Sequence, residues 1–261
     1  MPNIKKTIKI AKSFGAASNS YDVSARLQRY SGKHLMPWLP NRNNLMVVDL
    51  GCGTGFFTDI LASKYQQVIG IDISKKMLKY SQQKRRSDIF WLEGSAYHLP
   101  LKNESVDLVY SNLMIQWCEP LDVVIKEILR VLKPGGVFIF TTLIEGTLYE
   151  LRTAWAQVDD DQHVINFKSE FDLELLLNSR ESILIEQQNH KIVLEYENVL
   201  HLARELKGLG ANHVNRKANK GLSGKSKWQR MSIAYQDFQE PSGIYPASYC
   251  VYSGLVVKLN D

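Results

Sequence analysis

The chain has 261 residues, of which 44% are hydrophobic and 23% are charged, a composition that fits a globular domain with a full core. No run approaches the ~18 uninterrupted apolar residues of a bilayer-spanning helix. The lysines of residues 1–12 are not followed by the apolar run of a signal peptide, and the three cysteines form no pattern typical of zinc sites or disulfides. We therefore expect a cytoplasmic protein with no membrane partner and no metal.

The net charge of +5 is concentrated in residues 204–230, which hold eight basic residues and one acidic residue. This segment carries a charge of +7, so the rest of the chain sums to −2. A local excess of this kind suits a negatively charged partner; a solvated loop without a partner is the alternative interpretation. The basic residues are Arg204, Lys207, Arg216, Lys217, Lys220, Lys225, Lys227 and Arg230.

The first forty residues predict helices. Apolar residues recur at spacings of three or four from Phe14 to Ala25, and the prolines at positions 37 and 40 end the segment. Short β-rich runs then alternate with helical patterns, which predicts an α/β fold with a parallel sheet covered by helices. The predicted strands are 45–50, 68–73, 89–93, 106–111 and 137–143, and the helices are 57–64, 75–84 and 122–132.

Beyond residue 150 the pattern changes, and no linker separates the two parts of the chain. We expect the last strands to pair as an antiparallel hairpin at the sheet edge. The predicted elements here are a helix at 171–177, a strand at 191–196, a helix at 199–207, a loop at 208–227 and a strand at 249–259.

A glycine turn follows the first predicted strand, in the sequence VVDLGCGTG of residues 47–55. Glycines let the backbone approach a ligand closely. The spacing is Gly-x-Gly-x-Gly, whereas dinucleotide enzymes need Gly-x-Gly-x-x-Gly, and Phe56 stands at that last position. The carboxylate of Asp49 suits the ammonium group of a methionine moiety better than a phosphate. The turn therefore predicts a nucleoside ligand with an amino-acid end, contacting Asp49, Gly51 and Gly53.

A second carboxylate, Asp72, ends the next predicted strand, 23 residues after Asp49. An acidic residue about 20 residues beyond such a turn binds ribose hydroxyls. Ile73 and Met77 follow it and could pack on an adenine ring. Together with the glycine turn, these residues predict a binding site for the nucleoside.

The whole pattern resembles the class I methyltransferase family over residues 45–143. The resemblance implies a Rossmann-like fold, with a mostly parallel seven-stranded sheet and an antiparallel last strand, and S-adenosyl-L-methionine as co-substrate. Where the family usually has Gly-Asp, this chain has Gly94-Ser95, so we expect Ser95 and Ala96 to hold the adenine, with Asn112 as a further contact. The matching motifs are DLGCGTG at 49–55, GIDIS at 70–74, LPL at 99–101, DLV at 107–109 and LKPGG at 132–136.

Further segments resemble the family of malonyl-acyl-carrier-protein O-methyltransferases of biotin synthesis. This resemblance covers nearly the full chain and implies methyl transfer to the free carboxylate of a malonyl thioester on acyl carrier protein. It predicts a single methyltransferase domain over 1–261, with a helical cap (1–40), a half that binds S-adenosylmethionine (45–143) and a substrate-side half (144–261). The segments are SNLMIQWC at 111–118, TTL at 141–143, GTL at 146–148, LKGLGAN at 206–212 and YPASY at 245–249.

Such an acceptor needs no general base, because a carboxylate of pKa near 4 is already ionised at neutral pH. We accordingly expect positioning residues and no catalytic acid or base. Tyr21 could cap the site, Arg152 could pair with the malonyl carboxylate, and Phe171 could line the pocket. Gln116 and Lys207, which lie in the resembling segments, are further expected substrate contacts.

Three alternatives stay open. Trp228 among the basic residues permits an RNA methyltransferase, since aromatic rings stack on bases. The tetrad Asn/Asp-Pro-Pro-aromatic, found in enzymes that methylate base amines, is absent at 112–115, which disfavours a nucleic-acid substrate. A methyltransferase for a quinone or other small molecule would use the same cofactor half. A non-catalytic binding module would keep the glycines and Asp72.

Overall fold

A computed structural model describes residues 3–179, 181–211 and 223–260. Seven strands form one sheet in the order β3-β2-β1-β4-β5-β7-β6. The pairs among β1 to β5 are parallel, and β7 runs antiparallel to both β5 and β6. The expected mostly parallel sheet with an antiparallel last strand is confirmed. The strands are β1 (Met46–Leu50), β2 (Gln67–Asp72), β3 (Phe90–Glu93), β4 (Val106–Asn112), β5 (Leu132–Leu143), β6 (Ser182–Tyr196) and β7 (Tyr245–Lys258).

Ten α-helices lie within the described residues, and the first three precede the sheet, as the sequence predicts. No helix in these ranges is both long enough and apolar enough to cross a membrane. The helices are α1 (Ile4–Ala16), α2 (Ser18–Ser24), α3 (Arg26–His34), α4 (Phe56–Lys64), α5 (Lys75–Lys84), α6 (Leu121–Val131), α7 (Tyr149–Ala156), α8 (Glu170–Leu177), α9 (Val199–Gly208) and α10 (Ser223–Ala234).

The core lies on both faces of the central strands. Val47 and Val48 point to opposite faces of β1, and both are fully buried, as expected for a parallel strand covered by helices on each side. Helix α6 covers one face with apolar residues at spacings of three and four, from Leu121 to Leu129. This packing fixes the carboxyl ends of β1, β2 and β4 at one edge of the sheet, where ligands bind in open α/β sheets.

The structure departs from the sequence expectations in the second half. Strand β6 has 15 residues, whereas the sequence predicted only the six of 191–196. The first part of the strand was missed because it is mostly exposed at the sheet edge and carries no apolar alternation. Backbone pairing with β7 holds it there instead. The expected loop at 208–227 is wrong from Ser223 onward, where α10 begins, and 212–222 lies outside the described residues. Helix α7 was not predicted, and α9 and α10 separate the two paired edge strands.

Candidate active site

A cavity of about 810 Å³ opens at the carboxyl ends of the central strands, beneath helices α1 and α2. We call it the strand-end cavity. Eight of the nine predicted cofactor residues line it, namely Gly51, Gly53, Asp72, Ile73, Met77, Ser95, Ala96 and Asn112.

The glycine turn uses two of its glycines for different purposes. Gly51 and Gly53 both have positive φ, +75° and +53°, which favours glycine. A Cβ on Gly51 would lie 2.3 Å from Cγ of Met114, whereas a Cβ on Gly53 would meet no heavy atom within 4 Å. Gly51 is therefore required by packing, and Gly53 leaves open space on the wall of the strand-end cavity.

Asp72 is held in place by the backbone around it. One carboxylate oxygen accepts from the Gly53 amide at 2.9 Å, and the other accepts from the Ser74 amide at 2.7 Å. Burial raises the pKa of Asp72, and these amide hydrogen bonds oppose the rise. Each oxygen keeps acceptor capacity, so the group can receive hydroxyl donors from a ligand in the strand-end cavity.

Asp49, the ninth predicted residue, lines a separate small cavity of about 450 Å³ on the other side of the turn. We call this space the small cavity. It shares four lining residues with the strand-end cavity, namely Tyr21, Gly51, Gly53 and Asn112. The Asp49 side chain is buried and accepts a hydrogen bond from Thr58 Oγ1 at 2.6 Å. Burial raises the pKa of Asp49 to about 7. A ligand cation there would stabilise its ionised form.

Helix α2 is tied to the glycine turn by an ion pair. Arg85 Nη2 donates to Asp22 Oδ2 at 2.6 Å, and Arg85 Nε donates to the Thr54 carbonyl at 2.9 Å. Thr54 Oγ1 also donates to Asp22. Both charged side chains are largely shielded from water, with 16% and 27% exposure. These contacts fix the helix that roofs both cavities.

Replacing Arg85 by Ala should therefore loosen α2. A loss of about 1–2 kcal/mol of local stability corresponds to a roughly 5- to 30-fold rise in amide hydrogen exchange, measured over Ser18–Ser24 by mass spectrometry. Lys84→Ala is the control, because Lys84 is exposed and makes no ion pair within the described residues. Equal exchange in the two variants would contradict the assigned role of the ion pair.

A larger cavity, of about 1,260 Å³, adjoins the strand-end cavity. We call it the apolar cavity, since Leu, Val, Ile, Phe and Trp residues dominate its wall. Among the described residues, no Lys or Arg lines it. The wall common to this cavity and the strand-end cavity consists of Phe14, Tyr21, Leu113 and Trp117.

Tyr21 and Gln116 are the two predicted substrate residues that reach the apolar cavity. Burial, and then the neighbouring Asp72 carboxylate, raise the pKa of Tyr21, so its phenol stays neutral. The Gln116 amide is held at both ends: Nε2 donates to the Leu113 carbonyl at 2.6 Å, and Oε1 accepts from Thr142 Oγ1 at 3.4 Å. Both side chains are positioned to orient a ligand.

The structure does not bring Arg152, Phe171 or Lys207 to either cavity. The guanidinium of Arg152 donates to the Ile165 carbonyl at 2.9 Å and to Asn166 Oδ1 at 3.1 Å on the outer surface. Phe171 is 72% exposed on α8, and Lys207 is exposed on α9. Direct pairing of Arg152 with a bound carboxylate, as the sequence suggested, does not fit this geometry.

Other residues of the site were missed by sequence reasoning. Trp117 packs edge-on against Phe14 with ring centroids 5.2 Å apart, forming part of the shared wall. Its position in the segment 111–118 was a usable signal. Helix α3 brings Gln28 and Arg29 to the small cavity, and no motif marks them.

The basic segment is only partly described, since Arg216, Lys217 and Lys220 lie outside the described residues. Lys227 on α10 pairs with Asp159 at 2.6 Å and with Asp161 at 3.6 Å. Burial alone would raise the pKa of Asp159, but hydrogen bonds from Lys227 and His163 lower it to about 2. Asp159, Asp161 and His163 are spaced as metal ligands could be, but the Lys227 ammonium already pairs with both carboxylates.

Comparisons with known proteins agree with this geometry. The family described as "Methyltransferase domain" matches residues 48–140. The malonyl-acyl-carrier-protein O-methyltransferase of Yersinia pestis is 36% identical over 253 residues, covering 95% of this chain and 91% of that enzyme. The biotin biosynthesis bifunctional protein BioHC of Cellvibrio japonicus is 39% identical over 251 residues, and this chain spans only 50% of its length.

Solved structures support the fold alone. The YcgJ protein from Bacillus subtilis superposes with a TM-score of 0.61 at 19% identity, covering 89% of this chain and 100% of that one. The cyclase SpnF has a TM-score of 0.57 at 16% identity, covering 88% of this chain and 80% of that one. At the identity and coverage of its sequence relatives, the chain belongs to the family of malonyl-acyl-carrier-protein O-methyltransferases.

Proposed function

We propose that this protein transfers a methyl group from S-adenosylmethionine to the free carboxylate of a malonyl thioester on acyl carrier protein, giving the methyl ester that starts pimeloyl-moiety synthesis for biotin. The observation that carries the proposal is a pair of adjoining cavities. The strand-end cavity has polar acceptors, and among the described residues no lysine or arginine lines the apolar cavity. The choice of a malonyl thioester as the methyl acceptor is based on the names of the relatives. The cytoplasm, where carrier-bound synthesis would occur, is the compartment we propose.

The residues of the strand-end cavity and the small cavity fit S-adenosylmethionine. Asp72 retains acceptor capacity for the ribose hydroxyls, and the absent Cβ of Gly53 leaves room beside it. Asp49 offers a buried carboxylate to the α-ammonium group. Ser95 and Ala96 line the end of the strand-end cavity where β3 finishes, and we assign them to the adenine, with Ile73 and Met77 packing on its ring.

Methyl transfer to a carboxylate is a reaction that a weakly polar site such as the apolar cavity favours. An acceptor carboxylate oxygen attacks the methyl carbon in line, the oxygen–carbon bond forms as the carbon–sulfur bond breaks, and the electron pair passes to sulfur. An anion and a sulfonium cation become a neutral ester and a neutral thioether. Because charge disappears along this path, a weakly polar site that excludes water favours the transition state. A tightly paired lysine or arginine would instead stabilise the nucleophile.

The carrier protein has a route to the apolar cavity. A surface groove shares five residues with it and is also lined by Lys6 and Lys168. Lys6 pairs with Glu119 at 2.7 Å, so Lys168 is the cation better suited to the phosphate of a thioester arm. The shared residues are Gln116, Trp117, Leu143, Ile165 and Phe167. The basic segment 204–230 would steer an acidic carrier toward the enzyme.

The test is incubation with S-adenosylmethionine and malonyl-acyl carrier protein, followed by mass spectrometry of the carrier. We expect a gain of one methyl group per malonyl group, and no change in acetyl-acyl carrier protein, which lacks a free carboxylate. Malonyl-coenzyme A in parallel measures how strictly the carrier is required. Methylation of tRNA or of a quinone, with the malonyl carrier left unmodified, would favour the alternative acceptors.

A further inference from the structure

Helix α3 brings polar side chains to the small cavity from outside the glycine turn. Gln28 and Arg29 both line this cavity, together with the Asp49 carboxylate. The helix is fixed to the sheet at this point: Asn112 Nδ2 donates to the Gln28 carbonyl at 2.9 Å, and Ser31 Oγ donates to Asn112 Oδ1 at 2.8 Å. The position of the two side chains is therefore set by the strand that also borders the cofactor.

The side-chain oxygen of Gln28 lacks a partner. Oε1 is fully buried and accepts no hydrogen bond from any described residue. Buried polar atoms are nearly always hydrogen-bonded, so each exception needs an explanation such as a ligand. Gln28 lines both the apolar cavity and the small cavity. A donor that enters the small cavity, which Asp49 also lines, would satisfy this oxygen.

Arg29 supplies the opposite charge. Its guanidinium carbon lies 5.5 Å from the centre of the Phe56 ring, and its side chain makes no ion pair within the described ranges. Asp22 also lines the small cavity, but its carboxylate already pairs with Arg85. The groups left for a ligand include two acceptors, Gln28 Oε1 and the Asp49 carboxylate, and one cation, Arg29. That combination matches an α-amino-acid group, which presents an ammonium and a carboxylate on the same carbon.

We propose that α3 holds the amino-acid end of S-adenosylmethionine. Gln28 Oε1 accepts from the α-ammonium group together with Asp49, and the Arg29 guanidinium pairs with the α-carboxylate. The inference rests on the proposed function only in taking S-adenosylmethionine as the co-substrate, and it is independent of the acceptor. It also explains why the helices ahead of the first strand form part of the site.

Two ligands separate this role from a structural one. S-Adenosylhomocysteine carries the amino-acid end, whereas 5′-methylthioadenosine lacks it and keeps the nucleoside and sulfur. For Gln28→Leu and Arg29→Met, calorimetry should show affinity for S-adenosylhomocysteine weakened about 10- to 100-fold, the range for hydrogen bonds to charged groups. Affinity for methylthioadenosine should change less than about twofold. Arg29→Met keeps the apolar stem that packs near Phe56.

The matched control is Gln83→Leu, an exposed position on α5 that lines none of the three cavities. It should bind both ligands as the unchanged protein does. Gln28→Glu retains an acceptor and should restore affinity for S-adenosylhomocysteine, which also guards against a folding defect in Gln28→Leu.

Equal weakening of both ligands, or no weakening of either, would overturn the inference. Absence of binding by the unchanged protein would instead count against the proposed function itself.

Discussion

Gly53→Ala is expected to weaken S-adenosylhomocysteine binding by about 10- to 100-fold while the protein stays folded. A Cβ at Gly53 would meet no protein atom within 4 Å, so the new methyl would project into the space proposed for the cofactor. The cost then falls on the complex rather than on the fold. Calorimetric titration and thermal unfolding measure the two effects separately.

Gly135→Ala provides the matched control. Gly135 also has a positive φ, +73°, and a Cβ there would likewise meet nothing within 4 Å, but it is exposed near the start of β5 and lines neither cavity of the cofactor. Both variants should lose about 1–2 kcal/mol of stability from the unfavourable backbone conformation. Only Gly53→Ala should lose affinity. If both variants bind the ligand equally well, Gly53 does not face the cofactor.

The second large effect is a pH dependence of cofactor affinity. Burial raises the pKa of Asp49 to about 7 in the free protein, and an ammonium ligand requires the ionised carboxylate. Affinity for S-adenosylhomocysteine should therefore be constant above pH 7 and fall about tenfold for each unit below it. Titrations between about pH 5.5 and 8 test this, with methylthioadenosine as the ligand that should lack the slope due to Asp49.

Asp49→Asn should remove that slope and lower the affinity at pH 8. It should also stabilise the free protein at pH 8. A carboxyl group whose pKa is higher in the folded than in the unfolded state binds its proton more tightly when folded, so stability declines as pH rises from 3.8 toward 7. The amide of the Asn variant cannot ionise, so this decline in stability should not occur in it. A variant with weaker binding and lower stability at pH 8 would point to a structural role for Asp49.

The residues predicted to bind the cofactor lie close together in the structure, because the pattern that marks them is local. A strand, a glycine turn and a carboxylate at the next strand end occupy about 25 consecutive residues, and parallel pairing of β1 with β2 brings Gly53 and Asp72 together. The acceptor side was less predictable. The direction of Arg152 depends on α7, which no pattern marked. Gln28 reaches the small cavity through the long-range contact of α3 with Asn112.

The sequence also predicted the edge strand β6 incompletely. Periodicity identified only the last six of the 15 residues of β6, where Ile192 and Tyr196 are buried. The earlier residues extend along β7 through main-chain hydrogen bonds, which do not depend on side-chain type. Sequence patterns report burial, so an exposed strand at an edge leaves little trace in them.

Phe14 and Tyr21 belong to the walls of both the strand-end cavity and the apolar cavity. Any displacement of the N-terminal helices wide enough to release the demethylated cofactor would also open the apolar cavity, which is the proposed site of the ester. We therefore expect the two products to leave in a coupled step. A shortened protein lacking these helices should lose binding of both the methyl donor and the methyl acceptor, even if its sheet stays folded.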